Sequence, residues 1–165
     1  MKAIKSLFDK NLIFIKNVQE KREIFTLIGN LLHERGMVKE EFTKSIIERE
    51  NNYPTGLDLS PVAKDIPNVA IPHTEPEFCL CKCIVLVKLL KPVLFQNMIA
   101  PDKEIDVKYL FFIINNQKGN QTNILSELMG FFTTAENMKK LEQLDNKEEI
   151  YQFLTNKNIE IKGVQ

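Results

Sequence analysis

The sequence predicts an α/β fold, a sheet packed between layers of helix, and two patterns carry the prediction. Short runs of β-branched and aromatic residues are interspersed with segments whose apolar residues recur at helical spacing. No internal repeat, low-complexity segment or linker rich in Pro, Gly or Ser divides the chain, so residues 1–165 are expected to form one domain. The composition agrees: 44% hydrophobic and 27% charged residues, with six Gly and seven Pro, is what a chain with its own apolar core requires.

The elements follow in order. Leu12-Ile13-Phe14-Ile15 reads as a short strand. From Gln19 to Arg35, Ile24, Phe25, Ile28, Leu31 and Leu32 mark one face of a helix, and Gly36 stands where a left-handed C-terminal cap belongs. A second helix, Lys39 to Glu50, puts Phe42, Ile46 and Ile47 on one stripe. Tyr53 to Pro67 is too rich in Pro and polar residues for a regular element and is expected to be a long loop. Val69-Ala70-Ile71 is a short buried strand that stops at Pro72, which has no N–H to continue a ladder. Further strands are predicted at Lys82 to Leu89, Val93 to Phe95 and Val107 to Asn115. The last is apolar on nearly every residue, as in a central strand covered on both faces. Helices are expected from Asn120 to Thr133, Ala135 to Leu144 and Lys147 to Thr155, with a terminal strand at Ile159 to Ile161.

Charge and hydropathy exclude several function classes. Twenty-two basic residues balance twenty-two acidic ones, so no global positive field draws in a nucleic-acid backbone. Nucleic acid is not an expected partner. The apolar stretch Cys83 to Leu90 is broken by Lys88 and falls short of the roughly 20 residues that cross a bilayer, so no direct membrane insertion is expected. The N-terminus lacks the pattern of a signal peptide, and a cytoplasmic location is the expectation. Cys79, Cys81 and Cys83 alternate, which in a strand puts them on one face. A soft metal would need a fourth ligand and a wider spacing, so burial as small apolar side chains is the favoured reading and no metal is expected.

The two histidines have different settings. His33 lies late in the first long helix, where a cation is favoured by the helix dipole, and needs no functional account. His73 stands at the carboxyl end of an apolar strand, where ligand crevices form in open α/β sheets. Upstream, Arg49 has a planar fork suited to phosphate, and the Thr55-Gly56 turn offers a hydroxyl and an amide. Each has a plain alternative: a ring hydrogen-bonded at a strand end, and an arginine paired with Glu48 or Glu50. Together they form a candidate phosphohistidine site, because an imidazole with a pKa of about 6.5 stays largely neutral and nucleophilic near pH 7. No Walker loop, dinucleotide fingerprint or Gly-x-Ser-x-Gly elbow competes with this reading.

The residues Arg49-Glu50, Pro54-Thr55-Gly56-Leu57 and Ala70-Ile71-Pro72-His73 resemble, in order and spacing, the enzyme IIA proteins of the mannitol and fructose type in the bacterial sugar phosphotransferase system. That resemblance implies a mixed sheet of about five strands flanked by helices. It implies that His73 accepts a phosphoryl group from the histidine-containing phosphocarrier protein HPr and passes it to a cysteine of enzyme IIB, which serves a membrane enzyme IIC. Arg49 would bind the phosphoryl oxygens, and no cofactor would be needed. Many members place a second histidine where Gln121 stands here. This glutamine and the Pro-Thr-Gly turn make the chain look most like the galactitol branch. Two alternatives stay open: a regulatory phosphoprotein of the nitrogen type, and a non-catalytic binding module in which His73 is structural.

Overall fold

A computed structural model describes residues 2–119 and 121–156. Its strands are β1 (Ile13–Lys16), β2 (Gly56–Leu57), β3 (Asn68–Ala70), β4 (Lys82–Gln96) and β5 (Glu104–Asn115). The helices are α1 (Lys2–Lys5), α2 (Lys21–Glu34), α3 (Phe42–Asn52), α4 (Gln121–Phe132), α5 (Ala135–Gln143) and α6 (Lys147–Thr155). The strands form one five-stranded mixed sheet in the order β1-β4-β5-β3-β2. β1 runs parallel to β4 and β3 parallel to β5, while β4–β5 and β2–β3 are antiparallel.

Alternation along β4 and β5 sorts the core into two layers. Ile84, Leu86, Tyr109, Phe111 and Ile113 face one side with the apolar residues of α1, α4, α5 and α6. Val85, Val87, Leu110, Phe112 and Ile114 face the other with those of α2 and α3. Each such side chain, fully buried, contributes about 1.5–3 kcal/mol of transfer free energy. Helix α2 starts with a capping box between Glu20 and Glu23 and ends at Gly36, whose φ of 73° is open only to a residue without a side-chain clash. The Gly36 N–H donates to the His33 carbonyl and the Met37 N–H to that of Leu32, which closes the helix end as expected.

Four expectations are corrected. The first strand begins at Ile13, because Asp9 caps a 3₁₀ turn over Lys10–Leu12. The second helix begins at Phe42. The predicted loop from Tyr53 to Pro67 contains β2, an edge strand too short for any periodicity to reveal. The runs Lys82 to Leu89 and Val93 to Phe95 are one 15-residue strand with a register shift between Lys88 and Val93. Pro92 is exposed at that irregularity, where no ladder bond is required of it. The strand expected at Ile159 to Ile161 lies outside the described residues. Among the described residues no helix is long and apolar enough to cross a membrane.

Just past the end of β4 the chain meets Gly56: Asn97 bridges it in parallel and the Met98 N–H donates to its carbonyl at 2.8 Å. A Cβ at Gly56 would lie 2.7 Å from the backbone oxygen of Gln96 and 3.2 Å from Phe95 Cβ. This glycine is needed for close approach of two strands. Gly56→Ala should destabilise the protein by about 1–3 kcal/mol through overpacking, read as a lower urea midpoint at unchanged slope.

Candidate functional site

His73 follows β3 directly, and three backbone contacts fix its position. The Ile71 N–H donates to the Thr55 carbonyl at 3.3 Å, the Ile113 N–H donates to the Pro72 carbonyl at 3.0 Å, and His73 bridges Ile113 in parallel. The ring is then fixed by His73 Nδ1, 2.7 Å from the Ile71 carbonyl. A carbonyl oxygen can only accept, so Nδ1 carries the proton and Nε2 of the neutral ring has a free lone pair. Burial lowers the pKa of His73 from its ordinary value, and the positive charge of Arg49 adds to this. The Ile71 carbonyl and the negative charge of Glu75 oppose it.

The half-buried imidazole lines a cavity of about 330 Å³ together with Arg49, Thr74, Glu75, Pro76, Lys118 and Gln121. Arg49 comes from the last turns of α3. Its guanidinium stacks 4.6 Å above the Tyr53 ring, and Nη1 donates to Glu75 Oε1 at 3.1 Å. The Thr74 hydroxyl, donating to Glu75 Oε2 at 2.7 Å, is the main influence holding the Glu75 carboxyl below the ordinary range, and Arg49 contributes. Gln121 is the first residue of α4, so the positive end of that helix lies at the cavity. Its Oε1 accepts from Asn115 Nδ2 at 3.1 Å, which leaves Nε2 as that side chain's free donor.

Three sequence-derived candidates, His73, Arg49 and Gln121, therefore meet in one cavity. Thr55 and Gly56 do not line it. Thr55 is only 3% exposed, and both its N–H and its hydroxyl donate to the Glu50 carboxylate, at 2.8 and 2.7 Å. Burial pushes the Glu50 carboxyl up, while the two Thr55 bonds and the charge of Lys21 pull it back. The hydroxyl read as an anion contact is committed to an internal carboxylate, and the glycine serves strand packing. Thr74, Glu75 and Lys118 escaped the sequence reading. The first two adjoin His73 in the chain, which is the signal that could have found them, whereas Lys118 lies in a polar loop with no pattern. His33 is exposed near the end of α2, as expected.

The cysteines pack as the sequence suggested: Cys79 and Cys83 are buried in the α2–α3 side of the core and Cys81 packs against it. Burial pushes all three thiols up, away from the reactive thiolate. Among the described residues no group of three or more His, Cys, Asp or Glu could hold a metal ion.

An imidazole with one nitrogen pinned and the other free, beside two cationic side chains, is arranged to take an anionic electrophile. Residues 6–157 match the family described as phosphoenolpyruvate-dependent sugar phosphotransferase system, EIIA 2. The chain belongs to this family. The EIIA 2 family is a phosphotransfer component of the sugar phosphotransferase system. This EIIA 2 chain is 29% identical over 111 residues to the galactitol-specific EIIA component of Escherichia coli K12, covering 67% of this chain and 70% of that one. Among solved structures it is similar to enzyme IIA of the mannitol system in the Escherichia coli complex with phosphorylated enzyme IIB. There the TM-score is 0.70 at 18% identity, over 91% of this chain and 98% of the other. The nitrogen regulatory protein IIA-Ntr of Neisseria meningitidis matches with a TM-score of 0.68 at 23% identity, over 93% and 99% of the two chains. At these identities the two structures establish the shared fold, a five-stranded mixed sheet flanked by helices.

The Thr55–Glu50 pair separates a structural role from a phosphate contact. Thr55→Val should cost about 1–3 kcal/mol of stability by leaving a buried carboxylate oxygen unpaired. Phosphoryl acceptance at 25 °C should stay close to wild type; a large loss of acceptance with unchanged stability would return Thr55 to the site.

Proposed function

We propose that this EIIA 2 domain is a phosphoryl carrier that accepts the group on Nε2 of His73 from HPr and passes it to the cysteine of enzyme IIB, for sugar uptake through a membrane enzyme IIC. The observation that carries the reading is the 2.7 Å contact of Nδ1 with the Ile71 carbonyl, which frees Nε2 in a cavity shared with Arg49 and Lys118. As the donor's N–P bond breaks, its electron pair stays with the donor nitrogen. The Nε2–P bond forms from the His73 lone pair, and Nδ1 keeps its proton throughout. Arg49, Lys118 and the Gln121 amide supply positive charge and a hydrogen-bond donor to the phosphoryl oxygens in transit. In this reading the domain needs no metal or bound cofactor and works in the cytoplasm. Likeness to the galactitol-specific component supports galactitol as the transported sugar.

Intact mass spectrometry after incubation with phosphoenolpyruvate, enzyme I and HPr tests the reading. One added phosphoryl group is expected on the wild type and none on His73→Ala; retention of the group by that variant, or its absence from the wild type, would falsify it. Onward transfer to a galactitol enzyme IIB distinguishes the transport role from a regulatory one, in which the phosphorylated protein only changes its affinity for a target.

The lowered pKa of His73 sets the sign of the pH dependence. Only the neutral ring has the lone pair, so the acceptance rate should be level through neutral pH and fall as pH drops through a value below 6.5. Rapid-quench rates at fixed phospho-HPr measure this, and a fall beginning above pH 6.5 would contradict the burial argument.

A further inference from the structure

We infer that Glu75 is an internal competitor for Arg49 that occupies the guanidinium while His73 is free and must release it when His73 carries a phosphoryl group, thereby raising the readiness of the group to leave. The inference rests on phosphorylation of His73 as proposed above.

Donors from two segments converge on the Glu75 carboxylate at the cavity that His73 lines. Arg49 Nη1 of α3 donates to Oε1 at 3.1 Å, and the Thr74 hydroxyl donates to Oε2 at 2.7 Å. Ser45 Oγ, one turn before Arg49 on α3, lies 3.5 Å from Oε2 and shares a hydrogen bond with the Thr74 hydroxyl. Arginine and hydroxyl donors are the chemistry that also binds a phosphoryl group, whose oxygens a guanidinium meets in the same fork geometry as a carboxylate. The resting protein thus fills an anion seat with an anion of its own.

The pair is exchangeable. Its side chains keep 35% and 44% of their exposure, and ion pairs so open to water are weak and readily broken. A phosphoryl group brings close to two negative charges into the cavity. Glu75 holds Arg49 through a single contact of Nη1, so turning the guanidinium fork to the phosphoryl oxygens draws it off the carboxylate, which then faces a like charge. The free state of His73 keeps the Arg49–Glu75 pair; the phosphorylated state loses it and gains repulsion. By linkage, the presence of Glu75 favours the free state, so the phosphoryl group is held less firmly and passes on more readily. The exchange balances without protons: the N–P bond of one imidazole breaks as that of the other forms, and the donor nitrogen keeps the electron pair.

The test is the equilibrium constant for exchange with HPr, read by intact mass at fixed ratios of phospho-HPr to HPr. Glu75→Gln, which keeps size and hydrogen-bonding capacity and removes the charge, should shift the equilibrium toward the phosphorylated domain by about tenfold. Glu75→Asp, which keeps the charge one methylene short of Arg49, should shift it the same way by less. A residue that only supported the fold would slow exchange in both directions and leave the equilibrium where it was. If the wild type takes up no phosphoryl group, the reading of His73 fails and this inference with it. If wild type and both variants are phosphorylated with one equilibrium constant, only the role of Glu75 is overturned. In an Arg49→Ala background the Glu75→Gln shift should shrink to about twofold, since the contested group is gone. A shift that survives there undiminished would overturn competition through Arg49.

Discussion

The site depends on one carbonyl. Ile71 lies just past the last residue of β3, its N–H is taken by Thr55, and Pro72 has no N–H to extend the ladder. Pro72 instead offers its carbonyl to Ile113 of β5. The chain is thus clamped at successive residues from the β2 side and from the β5 side, and the Ile71 oxygen accepts from the imidazole. The tautomer of His73, the direction of Nε2 and the side from which a reacting group must approach all follow from that bond.

The sheet provides the rigidity the clamp needs. β5 is buried on both faces, with Phe111 and Phe112 pointing to opposite layers, and β3 is parallel to it, so their carboxyl ends lie together. Asn115, the last residue of β5, is buried and donates to Gln121, the first residue of α4. The strand that anchors His73 therefore also fixes the helix end on the far side of the cavity. In the same layer as α4, Lys88 of β4 is buried with Nζ donating to the carbonyls of Leu141 and Leu144, which fastens the end of α5 to the sheet.

What the sequence disclosed follows a physical line. Long periodic segments were legible, because burial of one stripe or of two faces writes itself into the residues that carry it. α2 and α4 lie within a residue or two of where their patterns put them, and β5 ends at Asn115 as read but starts three residues earlier, at Glu104, where its residues are no longer apolar throughout. The strand end at Pro72-His73 was legible for the same local reason. β2 was not, since two residues carry no period, and the unity of β4 was hidden because Pro92 reads as a break, whereas the ladder shifts register there and the strand runs on. In the site, His73, Arg49 and Gln121, singled out by residue type, line one cavity. The partner of Thr55 was misread because Glu50, at a helix end among other charges, looks solvated in one dimension and is 1% exposed in three. The choice of Glu75 by Arg49, across 26 residues of chain, is a tertiary fact that no local pattern records.

Arg49 is flanked by two carboxylates that the fold treats in opposite ways. Glu50, its neighbour in the chain, turns inward and is held by Thr55, away from the cavity. Glu75 stays at the cavity and takes the guanidinium. The difference separates a carboxylate that fixes the backbone leading to Ile71 from one positioned to respond to charge on His73. Gln121 fits the same logic. In the proposed carrier role, transfer between two imidazoles moves a phosphoryl group and no proton, so an amide that donates and accepts hydrogen bonds suffices at that position. What a second imidazole would add is a second titrating charge beside the first. With glutamine there, His73 is the one imidazole lining the cavity among the described residues; burial keeps it neutral through neutral pH, and the Ile71 carbonyl decides which nitrogen carries its proton.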